Sequence, residues 1–99
     1  MKKYKIIFDD LVWKEDFRKI DTSDRKKIFL EISKKLPTHP HEFGKHLSGN
    51  LSGYKSLRIG EFRIVYRIYE AKIEVLVVKI GFRRNMEVYI EVAKRLGIL

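Results

Sequence analysis

Hydrophobic and polar positions change rhythm along this chain, and each change predicts an element. Tyr4, Ile6 and Phe8 alternate around Lys5 and Ile7, a period-2 pattern that predicts a short first strand ended by Asp9 and Asp10. From Asp10 to Ile20 the apolar positions Leu11, Val12, Trp13, Phe17 and Ile20 recur at helical spacing, with acidic residues early, where the helix dipole favours them. Trp13 is expected in the core of that helix packing. Asp21, Thr22 and Ser23 read as turn and cap. A second helix from about Ser23 to Leu36 follows from the stripe Ile28, Phe29, Ile32 and Leu36, with Pro37 as its stop, so two antiparallel helices are implied.

Residues 37–53 hold both prolines, three of the six glycines and all three histidines, and predict a long irregular connection. The period then returns to two. Leu57 and Ile59, next Phe62, Ile64, Tyr66 and Ile68, and finally the nearly continuous run Ile73 to Ile80 predict a three-strand antiparallel meander turning near Gly60 and Ala71. Val88, Ile90, Val92, Ala93 and Leu96 predict a last helix after Asn85, stopped at Gly97. The predicted order is β-α-α-β-β-β-α, an α+β fold with a small, mainly antiparallel sheet. Ninety-nine residues make one domain over 1–99, because a chain this short cannot divide its apolar residues between two cores.

Composition narrows the chemistry. Hydrophobic residues at 44% and charged residues at 35% fit a folded domain with a solvated surface. No apolar run approaches the roughly 20 residues that span a bilayer, and Asp9 and Asp10 interrupt any leader core, so a cytoplasmic protein with no membrane partner is expected. Without cysteine there is no disulfide, thiolate nucleophile or zinc ribbon. The formal net charge of +9 attracts polyanions and makes nucleic acid the leading partner class. That charge is spread: residues 1–52 carry 12 basic and 8 acidic side chains, residues 53–99 carry 10 and 5. Folding has to gather it, and lysines such as Lys26, Lys27, Lys34 and Lys35 read as a solvated helix face.

Strand parity makes a sharper statement. Phe62, Ile64, Tyr66 and Ile68 share one face, directed at the helices, whereas Arg63, Val65, Arg67 and Tyr69 share the other. On the preceding strand Ser56 and Arg58 oppose Leu57 and Ile59. Arg58 and Arg63 flank the Gly60 turn, so antiparallel pairing places them together, and neighbouring cations repel unless an anion lies between them. The histidines His39, His41 and His46 include an H-P-H fragment, but no further ligand stands at a recognisable metal spacing. They read as loop histidines, and no metal and no cofactor is expected.

The sequence GYKSLRIGEFRIVYRI, an apolar strand, and then GFRRNMEVYIEVAKRL resembles the RelE/ParE superfamily of bacterial and archaeal toxins, whose pattern is L-R-x-G-x-Y-R-x-x-Y followed by G-x-R-x-x-x-x-V-Y. The resemblance covers nearly the whole chain. It implies a RelE-like fold, the toxin half of a type II toxin–antitoxin system and, in the RelE branch, metal-independent cleavage of mRNA in the ribosomal A site. The implied partners are a cognate antitoxin, mRNA and the ribosome. Position by position, Arg63 matches the strand arginine, with Phe62 in place of the tyrosine before it; Arg83 matches the arginine after the glycine; Tyr89 matches the tyrosine near the scissile phosphate. Arg58 matches the arginine of the L-R turn. Some relatives have lysine where this chain has Ser56, with Lys55 one residue earlier at opposite parity, and many have histidine where it has Phe82.

The chemistry such a site has to perform is simple to state. RNA is cut without metal when its 2′-hydroxyl attacks the adjacent phosphorus, so a protein has to position the backbone, take one proton and stabilise added negative charge. Arginine forks suit the phosphate, which makes Arg63 and Arg83 the expected catalytic clamp, with Arg58, Lys55 and Arg84 as phosphate or RNA contacts. Tyr89 is the candidate general base, with base stacking as its rival role. His46 is a possible auxiliary acid or base. The alternatives are a ParE-like DNA gyrase inhibitor without catalysis and an inactive RNA- or antitoxin-binding relative.

Overall fold

The computed structural model describes residues 3–83 and 87–98. A five-stranded sheet in the order β1-β5-β4-β3-β2 lies between two helices. The strands are β1 (Lys5–Phe8), β2 (Lys45–His46), β3 (Lys55–Ile59), β4 (Phe62–Tyr69) and β5 (Glu74–Phe82). The helices are α1 (Thr22–Lys35) and α2 (Glu87–Arg95). Strand β1 runs parallel to β5, and the remaining pairs are antiparallel. The expected α+β architecture is present, with one strand, β2, that the irregular 37–53 region does not announce in sequence.

Helix α1 starts where Asp21 caps it, its carboxylate accepting from the Asp24 amide at 2.9 Å and from the Ser23 hydroxyl at 2.9 Å. Ile28, Ile32 and Leu36, spaced by four, are buried against the sheet with Leu57, Ile59, Ile64 and Tyr66. The last turn carries Lys34 and Lys35, which complement the dipole, and Pro37 lies just beyond. Helix α2 stops at Gly97, which adopts φ +72° while its amide donates to the Lys94 carbonyl and the Ile98 amide to that of Ala93. That is a left-handed glycine cap of the kind helix ends favour.

The first arm of the predicted hairpin is not a regular helix. Val12–Asp16 forms a π turn closed by the Phe17 amide on the Val12 carbonyl, and Phe17–Lys19 tightens into a 3-10 turn. The wide turn directs Val12, Asp16 and Phe17 inward. Trp13 is thereby left at the rim, 51% exposed, which corrects its expected core position. Its ring stacks on Phe29 and tilts against Phe17, closing one side of an aromatic group instead of filling the interior.

Both faces of the sheet are covered in part. Val65 faces away from α1 yet is fully buried, because Leu51, Tyr54, Val78 and Val92 form a second cluster over it. The face expected to be rich in arginine and tyrosine is therefore divided: an apolar patch under α2 at its centre, open cationic ends on either side. At one end the Arg67 guanidinium lies over the rings of Tyr54 and Tyr69. At the other lie Arg58 and Arg63. Among the described residues no buried side-chain nitrogen or oxygen lacks a hydrogen-bond partner, and no helix is long and apolar enough to cross a membrane.

Candidate functional site

A two-residue turn at Gly60 and Glu61, opening with Gly60 at φ +54°, sets the register of β3 against β4. Ile59 pairs with Phe62, and so Arg58 lies directly across from Arg63. Both side chains leave the sheet on the face away from α1. The paired arginines expected from parity are thus brought together by the shortest hairpin in the fold.

What keeps Arg63 in place comes from the other end of the sheet. Its Nε donates to the Arg83 carbonyl at 3.3 Å, and its Nη1 donates to the Tyr89 hydroxyl at 2.9 Å. The guanidinium also lies 5.7 Å from the centre of the Tyr89 ring. Arg83 is positioned in turn by its amide, which donates to the Glu61 carbonyl of the same hairpin turn. The Tyr89 hydroxyl donates onward to Ser56 Oγ at 3.4 Å, a long contact. Strand β3, strand β4 and helix α2 therefore meet at one phenol.

Helix α2 reaches this position because β5 lets it approach. A Cβ on Gly81 would lie 2.7 Å from the Val88 side chain, closer than packed carbons tolerate, so a glycine is needed where α2 begins to cross the strand. Further along, β5 carries a bulge: Val65 pairs with Lys79 and Tyr66 with Val77, which leaves Val78 as the extra residue. The Val78 carbonyl accepts from Arg95 Nη1 at 2.9 Å. Asp16 completes the anchorage. It accepts from the Ile80 amide, Lys79 Nζ and both Arg95 Nη atoms, all between 2.9 and 3.0 Å. Burial pulls the Arg95 guanidinium towards a lower pKa, but its bonds to Asp16 and Glu15 outweigh that and hold it above the ordinary value.

The surface in front of Tyr89 is a groove of about 760 Å³ lined by Lys45, His46, Arg58, Arg63, Arg83 and Tyr89, among others. Among the described residues that line it, Glu42 is the one acid. Among the described residues, no carboxylate pairs with Arg58, Arg63 or Arg83. A concave surface with three guanidiniums, a phenol and no paired carboxylate is built to receive an anion.

Not every expected residue reaches it. Lys55 is buried on the opposite side of the sheet, its ammonium donating to the His41 carbonyl at 2.7 Å, so the expected RNA contact is instead a structural tether. Strand parity is the reason, since Lys55 pairs with Tyr66 and shares its inward direction. Arg84 lies outside the described residues. His46 is exposed on β2 at the groove, while His41 contacts Glu70 and His39 contacts Thr38, so the loop histidines are dispersed. Among the described residues no three His, Asp or Glu side chains gather as a metal site. Lys45 was not anticipated. Its only sequence signal is a lysine in a loop, and what places it on the groove is its pairing in β2 with Ser56.

Comparison with known proteins agrees with this architecture. Residues 6–86 match the model of the family described as ParE toxin of type II toxin–antitoxin system, parDE. The chain is 33% identical over 94 residues to the mRNA interferase toxin RelE of Escherichia coli K12, covering 94% of this chain and 97% of that protein. Its fold superposes on the crystal structure of the toxin–antitoxin complex RelBE2 from Mycobacterium tuberculosis with a TM-score of 0.74 and 26% identity, over 86% of this chain and 97% of the other. It superposes on a double arginine-to-alanine variant of E. coli toxin RelE in the free state with a TM-score of 0.75 and 24% identity, over 95% and 98% of the two chains.

Proposed function

The chain belongs to the RelE/ParE toxin superfamily, in its RelE-like branch, and from that membership we propose that it is a metal-independent endoribonuclease that cuts mRNA in the ribosomal A site. The observation that carries the reading is the contact of Arg63 with Tyr89 in a groove whose arginines have no carboxylate partner among the described residues. It supports the reading because a guanidinium suited to phosphoryl oxygens and a phenol suited to proton transfer lie within one hydrogen bond of each other.

The reaction follows from those positions. The 2′-oxygen of the nucleotide before the cut forms a bond to phosphorus, Tyr89 acts as the base that takes its proton after releasing its own to solvent, and the bond from phosphorus to the 5′-oxygen breaks. The products are a 2′,3′-cyclic phosphate and a 5′-hydroxyl. Arg63 and Arg83 donate to the non-bridging oxygens, where negative charge grows, and Arg58 supports them from across the hairpin. Donors fixed before substrate arrives stabilise that charge more than water does, because they need not reorganise. In the free protein the Arg63 Nη1 donor is held by Tyr89, so phosphate and phenol compete for it when RNA binds. The relatives solved as toxin–antitoxin complexes support a cognate antitoxin as the physiological partner.

Expression of the protein and of its Arg83→Ala and Tyr89→Phe variants, followed by mapping of 5′ ends in growth-arrested cells, tests the reading. Cuts inside translated codons are expected with the parent and strongly reduced with either variant. Growth arrest with intact messages and accumulating gyrase cleavage complexes would instead assign the chain to gyrase inhibition.

A further inference from the structure

The arginines and Tyr89 leave one proton without a source, the one the 5′-oxygen needs as it departs. Guanidinium is a poor acid, since it stays protonated above pH 12, whereas an ammonium gives up a proton more readily. In-line displacement places the attacking and leaving oxygens on opposite sides of phosphorus. An acid therefore has to face the Tyr89 side across the groove.

Strand β2 supplies such a group. Lys45 pairs with Ser56, which puts its side chain on the face that bears Arg58 and Arg63, with Cβ atoms of such pairs about 5 Å apart. Ser56 Oγ is in turn the second partner of the Tyr89 hydroxyl. Strands β2 and β4 lie two positions apart in the sheet, about 10 Å at ordinary strand spacing, which leaves room for a phosphodiester between Lys45 and the Arg63–Tyr89 pair. Lys45 is exposed, lines the groove and pairs with no carboxylate among the described residues. His46 pairs with Lys55 and so starts from the opposite face.

The residues just before Lys45 are fixed from inside the fold. The buried Tyr66 hydroxyl donates to the Pro40 carbonyl at 2.8 Å and also contacts that of Phe43. Lys55 holds the His41 carbonyl. Gly44 adopts φ +78°, and a Cβ there would lie 2.6 Å from the Tyr66 oxygen. Two buried polar groups and a glycine thus hold a surface loop so that its next residue stands at the rim of the groove.

We propose that Lys45 is the general acid of the cleavage, its ammonium delivering a proton to the departing 5′-oxygen and recovering one from solvent afterwards. The assignment rests on the ribonuclease reading above. Its test uses ribosomes programmed with two messages, one ordinary and one with sulfur replacing the 5′-oxygen at the cut site, because a thiolate leaves without protonation. Single-turnover cleavage by Lys45→Ala is expected to fall about 100-fold or more on the oxygen message and to return to within about 3-fold of the parent on the sulfur message. Lys45→Arg, which keeps the charge, is expected to stay slow on oxygen and to recover on sulfur. Equal slowing of Lys45→Ala on both messages, or parental speed on oxygen, overturns the assignment. Sulfur rescue shown by His46→Ala in place of Lys45→Ala transfers the role and overturns it as well. A parent protein inert on both messages removes the ribonuclease reading, an outcome distinct from a parent that cuts without needing Lys45.

Discussion

Two sets of cations flank helix α2, and they are treated in opposite ways. At its C-terminal end Arg95 and Lys79 are buried and surrounded by carboxylates: Lys79 Nζ lies 2.9 Å from Asp16 and 2.6 Å from Glu91, and Arg95 adds Glu15 at 3.1 Å. At its N-terminal end Arg58, Arg63 and Arg83 face a groove; among the described residues no carboxylate pairs with them, and Arg63 donates to a carbonyl and a phenol. The first arrangement uses charge to complete a structure. In the second, no carboxylate among the described residues supplies the counter-charge, and the proposed phosphate site rests on that difference. Net charge alone does not separate these cases, since both sets contribute to the +9. What separates them is where the fold places its acids.

The contrast can be broken from the buried side first, where the largest effect is expected. Asp16→Ala removes the buried carboxylate shared by Lys79, Arg95 and the Ile80 amide, leaves the two cations only the more exposed Glu91 and Glu15, and is expected to cost about 3–5 kcal/mol of stability, measured by urea unfolding. Loss of less than about 1 kcal/mol would mean that the network is solvated and the contrast false. On the open side Arg63→Ala is expected to lower single-turnover RNA cleavage by about 10²–10³-fold, since one preorganised donor to the growing charge is removed. Its stability is expected to stay within roughly 1 kcal/mol of the parent, because no carboxylate is orphaned.

Arg58→Glu sharpens the comparison by making the open site resemble the closed one. A carboxylate across from Arg63 supplies the missing counter-charge, so RNA binding is expected to weaken more than in Arg58→Ala and to lose salt dependence by about two phosphate contacts, read as the slope of log affinity against log salt. The smallest effect concerns Asp21, whose carboxyl pKa is held below its ordinary value chiefly by the Asp24 amide and also by the Ser23 hydroxyl. A depressed folded-state pKa contributes stability above the unfolded-state value near 4 that is lost as pH falls through the folded one. The difference in melting temperature between the parent and Asp21→Ala should therefore be complete at neutral pH and shrink in acid below about pH 4.

Much of this fold was legible because its signals are local. The period-2 alternation of Phe62 to Ile68, the Gly60 turn and the Asp21 cap each specify their own geometry, and the pairing of Arg58 with Arg63 follows from them. Tyr89 and Arg83 stand out only through the family resemblance, and their contact with Arg63 does not follow from spacing, since it joins residues 20 and 26 positions apart. Long-range polar choices were less visible. Nothing in the local sequence says that Asp16 accepts from a β5 amide, that Lys55 turns inward to hold a loop carbonyl, or that a two-residue strand carries Lys45 to the groove. Trp13 leaves the core position that α-helical spacing predicts because a π turn advances each residue by a smaller angle than an α-helix does.

The two outer strands of the sheet, β1 with four residues and β2 with two, are its shortest. An unpaired strand edge is a template on which a second copy can add itself, and brevity together with lysine are two of the devices that discourage it. Both residues of β2 are exposed, and one is Lys45. An exposed lysine on so short an outer strand is of the kind that discourages strand addition, a role separate from the proposed proton transfer. Replacing it with a β-branched apolar residue is expected to shorten the time a concentrated solution stays clear, even in a variant whose cleavage is already abolished elsewhere.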